Sequence, residues 1–108
     1  MFRSYSTDII RVVSRTYDGD GVLISEIESS DLRARVEDAN ILIRDVDGKE
    51  VMPSMFIMFK YDGDLKYVDT ILVKTKHGDE FMQPEKEWEI KKIEKLGMRR
   101  KTHMEVYL

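Results

Sequence analysis

Apolar and polar residues alternate with a period of two through most of this 108-residue chain. The alternation is clearest from Ile9 to Tyr17, from Leu32 to Glu37 and from His103 to Leu108, and Met55, Ile57, Phe59 and Tyr61 align on one face of a further run. This period is typical of half-buried β-strands. The last run has no polar tail after it, so we expect it to close the sheet as a strand. Roughly six to eight short strands favour an all-β fold, a small closed or partly open β-barrel with long loops.

Two stretches have some helical character, Ser29 to Asn40 and Pro84 to Leu96. We favour strands in both and allow for one short helix. The run from Ile41 to Val46 predicts a further strand. The length fits one domain spanning residues 1–108.

The segment Asp18-Gly19-Asp20-Gly21 separates two β-prone runs and therefore predicts a hairpin turn, with glycine supplying a positive φ. It resembles the start of a calcium loop, but the twelfth loop position is Ser29 where an EF-hand requires Glu. Asp45 to Gly48 and Asp62 to Asp64 show the same turn chemistry.

The chain has few residues of the types that most often act as catalytic groups or metal ligands. The chain has no cysteine, which excludes disulfides and thiol nucleophiles and fits a reducing compartment. His77 and His103 are the only histidines, and neither has a second ligand at metal-binding spacing. There is no nucleophile elbow and no glycine-rich phosphate loop. We therefore predict no enzymatic activity, no metal and no cofactor.

Targeting signals are missing as well. The longest apolar run, Met55 to Phe59, is five residues, against the roughly 20 that a membrane helix needs. The first six residues lack the apolar core of a signal peptide. We expect a chain made in the cytoplasm with no membrane partner.

The net charge of −3 is unevenly distributed, because residues 91–101 hold six Lys or Arg and one Glu. This basic segment is either a solvated face or a contact with an acidic partner. It contains no aromatic residue to stack on bases, and an acidic chain is a poor sequence-independent DNA binder. Its basic residues are Lys91, Lys92, Lys95, Arg99, Arg100 and Lys101.

The run from Met55 to Phe59 is apolar on both faces of a predicted strand. Phe56 and Met58 point opposite to Met55, Ile57 and Phe59. Such a strand is either buried between layers or covered by a neighbouring subunit.

Several short motifs carry a family resemblance. The chain resembles the small head-completion proteins of tailed bacteriophages, which include head-closure or stopper proteins and minor capsid head–tail joining proteins. It departs from their pattern at Val68, where the family often has glycine before the aspartate. The motifs are Arg35-Val36-Glu37, Ala39-Asn40-Ile41, Phe56 to Phe59, Val68 to Ile71, Trp88-Glu89-Ile90 and His103 to Leu108.

The resemblance implies a structural virion protein of the head–tail neck, assembled from the host cytoplasm. Copies would form a ring between portal or adaptor proteins and tail proteins, close the portal channel after packaging and provide the tail docking surface. Double-stranded DNA would pass through the lumen without sequence-specific binding. The expected subunit or ring contacts are Phe56, Met58 and the six basic residues of the basic segment. The candidate channel loop is Asp18, Gly19, Asp20 and Gly21, with Lys49 to Ser54 as the alternative.

Two other functions stay open at this stage. A tail-terminator or tail-completion protein would also form a ring from a small domain. A small OB-like barrel would be a binding module, and as a nucleic-acid binder its affinity would fall steeply with salt.

Overall fold

The computed structural model describes residues 8–63, 65–96 and 102–108, and the side chains of Leu96 and Thr102 are not described. Twelve strands and no helix occur in this part of the chain. The prediction of an all-β, partly open barrel is confirmed, and the short helix that was allowed for is absent from the described residues. The strands are β1 (Asp8–Tyr17), β2 (Leu23–Glu28), β3 (Leu32–Asp38), β4 (Ile43–Arg44), β5 (Glu50–Val51), β6 (Met55–Tyr61), β7 (Thr70–Val73), β8 (Thr75–Lys76), β9 (Asp79–Glu80), β10 (Glu87–Glu89), β11 (Lys92–Leu96) and β12 (Thr102–Tyr107).

Most strands form one strongly curled antiparallel sheet in the order β10-β7-β1-β3-β6-β12-β11. Its two end strands, β10 and β11, are consecutive in sequence and are joined by Ile90 and Lys91. The backbone N–H of Ile93 at one end donates to the Tyr67 hydroxyl at 3.1 Å. The chain itself therefore links the two ends of the sheet, and among the described residues no ladder of hydrogen bonds joins β10 to β11.

The predicted C-terminal strand is present as β12. It lies between β6 and β11, inside the sheet. Leu108 is fully buried and holds the chain end to β6, because its N–H donates to the Met55 carbonyl at 3.0 Å. Both ladders of β12 thus stabilise the middle of the sheet, and the end strand is β11.

The concave side of the sheet holds the core, built from rows of side chains that the strand registers align. Val36, Ile57 and Val106 lie directly opposite one another on β3, β6 and β12, and none is more than 1% exposed. Ala34, Phe59 and Met104 form the next row. The alternation in the sequence thus places one side of each of these strands in the core.

The predicted strand over Ile41 to Val46 is wrong in extent, because only Ile43 and Arg44 pair with β5. Asp45 begins a tight turn, and this turn ends the strand. Ile41 and Leu42 are both exposed. The stretches at 29–40 and 84–96 contain β3, β10 and β11, as the preference for strands predicted.

Candidate functional site

The far part of the β1–β2 hairpin, residues 14–28, forms an arm that is not covered by the rest of the sheet. β2 pairs only with β1, whereas the neighbouring part of β1 also pairs with β3 and β7. A shallow groove lined by Thr16, Lys66 and Val68 runs along one side of the arm. The second edge of β2 has no strand beside it among the described residues.

The arm exposes large apolar side chains on both of its faces. Ile27 is 65% exposed and lies opposite Ser14, whereas Leu23 is 48% exposed and lies opposite Tyr17. Leu23 and Ile27 point to opposite faces, because Ser14 and Tyr17 are an odd number of positions apart on β1. Tyr17, Val22 and Ile24 are exposed as well. A contiguous exposed apolar patch of this kind is typical of an interaction site.

Backbone N–H and C=O groups along the free edge of β2 are also available for hydrogen bonds to a partner. The N–H of Ser29 donates to the Val12 carbonyl at 2.8 Å. Counting back from Ser29, the backbone N–H and C=O groups of every second residue of β2 therefore point towards β1. The groups of Glu26 and Glu28 consequently point away from β1. This edge carries two glutamates and a bulge at Ile24, and charged side chains and bulges both limit the pairing of an edge strand.

The tip of the arm is the predicted turn from Asp18 to Gly21. The Asp18 carboxylate accepts hydrogen bonds from the backbone N–H groups of Asp20 and Val22, both at 2.9 Å, and Gly21 has φ of +80°. Asp18 therefore orders the turn itself. Among the described residues, no cluster of three His, Cys, Asp or Glu side chains could hold a metal ion.

The turn that joins β4 and β5 repeats this arrangement. The Asp45 carboxylate accepts from the N–H groups of Asp47 and Lys49 at 2.9 Å, and Gly48 has φ of +80°. Both turns share the pattern Asp-x-Asp-Gly. The first Asp binds backbone donors, and the glycine adopts the left-handed conformation.

We expect Asp18→Ala and Asp45→Ala to loosen these two turns to a similar extent. Each variant loses two hydrogen bonds to an exposed carboxylate, which is worth about 1 kcal/mol, or roughly fivefold in the local opening equilibrium. Amide hydrogen exchange at Val22 and Lys49 measures this effect. Asp18→Asn keeps an acceptor oxygen and serves as the control, and unchanged exchange in Asp18→Ala would contradict the expectation.

An ion-pair network fixes the base of the arm to the sheet. Arg15 on β1 contacts Glu26 on β2 and Glu87 on β10, each at 2.6 Å. Glu87 also accepts a hydrogen bond from the Thr70 hydroxyl at 2.6 Å. The bonds from Arg15 and then from Thr70 lower the pKa of Glu87 from 4.5 to about 2. These contacts therefore hold the base of the arm to the neighbouring strands of the sheet.

This network predicts a pH dependence of stability. The pKa of Glu87 is lower in the folded chain than in the unfolded chain, so its contribution is present above about pH 4.5 and is lost as the pH falls to about 2. We expect Glu87→Gln to flatten the decline of the free energy of unfolding in that window, measured by denaturant titration at several pH values. Glu80→Gln, at an exposed carboxylate on β9, is the matched control. An identical decline in Glu87→Gln and wild type would contradict the assignment.

A second candidate surface lies on the convex side of the sheet, across β6, β12 and β11. Phe56, Tyr107 and Lys92 lie directly opposite one another on these three strands. The ring centroids of Phe56 and Tyr107 are 4.8 Å apart, and Met58 is the next outward residue on β6. We call this group of four residues the outer face, and its side chains are half-buried.

The structure thus divides the predicted site residues into two groups. Phe56, Met58 and Lys92 lie on the outer face, Lys91 directly precedes β11, and Lys95 is an exposed residue of β11. The candidate channel loop, Asp18 to Gly21, lies at the tip of the arm on a different part of the sheet. Arg99, Arg100 and Lys101 lie outside the described residues.

Sequence reasoning missed the exposed apolar residues of the arm. The run Val22-Leu23-Ile24 belongs to one of the two β-prone runs beside the predicted turn, and in the structure β2 is almost entirely exposed. The available signal was that these apolar residues follow one another without interruption. Three apolar residues in succession put apolar side chains on both faces of a strand.

Comparisons with family models, curated proteins and solved structures find no match for this chain. Among the described residues, no helix has the length and hydropathy needed to cross a bilayer.

Proposed function

We propose that this chain is a structural component of the phage head–tail connector, forming a ring that closes the portal channel after packaging and receives the tail. The observation that carries the proposal is the arm, which exposes apolar side chains on both faces and has an unpaired strand edge. A subunit of a ring needs two different contact surfaces, one for each neighbour. The arm and the outer face supply two such surfaces.

The curled all-β sheet supports the proposal because it agrees with the small β-barrel that the family resemblance implies. Charge supports it as well. The arm tip carries Asp18 and Asp20 and no Lys or Arg, so a channel lined by the arm tips would repel DNA. The candidate channel loop at the arm tip, Asp18 to Gly21, is compatible with DNA passing through the lumen without being bound.

The proposal is tested by mixing the purified chain with DNA-filled phage heads that lack head-completion proteins, and separately with free tails. We expect binding to the heads and reduced loss of DNA from them. Binding only to tails would indicate a tail-completion ring. Binding to neither particle would overturn the connector proposal.

Charge reversal of the basic segment gives a more specific prediction. We expect the double variant Arg99→Glu with Arg100→Glu to bind heads at least tenfold more weakly, because it replaces two cations at a contact with an acidic neighbour by two anions. Sedimentation of heads with bound protein measures this change. The matched control is Arg44→Glu with Lys86→Glu, which makes the same change in net charge at two exposed residues outside the arm and the outer face. Equal binding of both double variants would refute a contact through the basic segment.

A further inference from the structure

We propose that the pair Asp62-Gly63 is a site of spontaneous covalent modification, at which the aspartate isomerises to isoaspartate. The reaction needs only this chain and water, so the inference is independent of the proposed function. The chain contains four Asp-Gly pairs, and the structure separates one of them from the other three. The pairs begin at Asp18, Asp20, Asp47 and Asp62.

The modification is a ring closure between the backbone and the aspartate side chain. The backbone nitrogen of the glycine attacks the side-chain carboxyl carbon of the aspartate before it, and an N–C bond forms. The N–H proton and the carboxyl OH leave together as one water molecule. Water then opens the succinimide ring, and opening at the main-chain carbonyl gives isoaspartate. Glycine in the second position favours the closure, because it has no side chain to hinder the approach and its backbone is the most mobile.

Hydrogen bonds hold the reacting groups of both pairs in the arm-tip turn. The Asp18 carboxylate, which would react with the nitrogen of Gly19, accepts from the N–H groups of Asp20 and Val22, both at 2.9 Å. The Gly21 nitrogen, which would react with Asp20, donates to the Asp18 carbonyl at 3.1 Å. Each pair must therefore break hydrogen bonds of the turn before its ring can close.

The β4–β5 turn restrains Asp47 in the same way. The Gly48 nitrogen donates to the Asp45 carbonyl at 3.0 Å, and the Asp47 N–H donates to the Asp45 carboxylate at 2.9 Å. The backbone on both sides of the Asp47 side chain is therefore fixed. Ring closure at this pair also has to wait for the turn to open.

Asp62 and Gly63 are the exception. Both residues are exposed and directly follow the end of β6, outside the strand ladders. Among the described residues, no hydrogen bond or ion pair involves the Asp62 carboxylate or the Gly63 nitrogen. Neither group has to leave a partner in the described chain before the ring closes, so this pair should react first.

The ring of Tyr61 explains why the labile glycine is present. A Cβ atom on Gly63 would lie 2.8 Å from the Cε2 and Cζ atoms of Tyr61, which is closer than van der Waals contact allows. The Tyr61 ring packs against the core, with its centroid 6.0 Å from that of Phe59. A larger residue at position 63 would slow the reaction, but it would require the Tyr61 ring to move.

The test is to incubate the full-length chain at neutral pH in water enriched in heavy oxygen and to map its peptides by mass spectrometry. Each ring opening incorporates one oxygen atom from water, so the label counts the reaction at each pair. We expect Asp62 to gain label at least about fivefold faster than Asp20 or Asp47, the factor expected for a hydrogen bond that must break first. In concentrated urea, where the turns are unfolded, the four pairs should react at similar rates.

Two variants separate the effect of the structure from that of the local sequence. Asp62→Glu would need a less favourable six-membered ring, so the label at this position should be lost. Asp45→Ala keeps both Asp47 and Asp62, and it should raise the rate at Asp47 only. Equal rates at Asp20, Asp47 and Asp62 in the folded chain would overturn the inference. A ranking of the pairs that urea leaves unchanged would also overturn it, because the structure would then not select the site.

Discussion

Replacing Asp8 by alanine is expected to lower the free energy of unfolding by about 3 kcal/mol. Asp8 is only 2% exposed, yet its carboxylate accepts hydrogen bonds from three groups on separate elements. These are the Gly78 N–H at 2.8 Å, the Val36 N–H at 3.2 Å and the Thr75 hydroxyl at 3.3 Å. Alanine would remove the acceptor of the buried Val36 N–H and of the partly buried Gly78 N–H.

The position of Asp8 explains why a carboxylate is needed there. Asp8 on β1 pairs with Ala34 on β3, and its carboxylate accepts from the N–H of Val36, two residues further along β3. The β8–β9 hairpin turns through His77 and Gly78, both with positive φ, and presents the Gly78 N–H to the same carboxylate. Asp8 thus supplies an acceptor to two elements at once.

Urea unfolding followed by the fluorescence of the single tryptophan, Trp88, measures the effect of Asp8→Ala. Asp8→Asn retains one acceptor oxygen and should show a smaller loss. Asp62→Ala, at an exposed carboxylate, is the control and should change stability by less than about 0.5 kcal/mol. A loss below about 1 kcal/mol in Asp8→Ala would show that the carboxylate is not essential to these donors.

Replacing Ile57 by alanine is expected to cost about 4 kcal/mol, the larger of the two effects. Ile57 is fully buried in the middle of β6, between Val36 and Val106 on the neighbouring strands. Truncation removes three methyl or methylene groups and leaves a cavity that the two ladders of β6 prevent from collapsing. Small domains have about 5–15 kcal/mol of total stability, so the variant would be close to unfolding.

Met58 provides the matched control for Ile57, because it is the next residue on the same strand and faces the convex side. Met58→Ala should lower the free energy of unfolding by clearly less than Ile57→Ala, since Met58 is only half-buried. It should instead weaken assembly, because Met58 belongs to the outer face. Equal destabilisation by both substitutions would contradict the separation of the core side and the outer face.

Local sequence patterns were sufficient to predict much of the fold. The alternation of Met55, Ile57 and Phe59 with Phe56 and Met58 predicted both faces of β6. The two Asp-x-Asp-Gly segments predicted turns, because an Asp that binds the following backbone N–H groups and a glycine with positive φ are local requirements. These features depend on residues a few positions apart.

The arrangement of the candidate surfaces could not be predicted in the same way. The row of Phe56, Tyr107 and Lys92 depends on the register of β12 between β6 and β11, which joins residues distant in sequence. The network of Arg15 and Glu87 likewise joins residues 72 positions apart. β2 resembles other strands in composition, and only the sheet order shows that nothing within the described chain covers it.

The proposal that the chain is a ring-forming connector protein is tested by counting the copies bound to each DNA-filled head that lacks its head-completion proteins. Quantitative mass spectrometry of purified particles over a range of added protein gives this number. We expect saturation at one fixed copy number per head, together with retention of the packaged DNA. Binding that rises without saturation, or no binding at all, would contradict it.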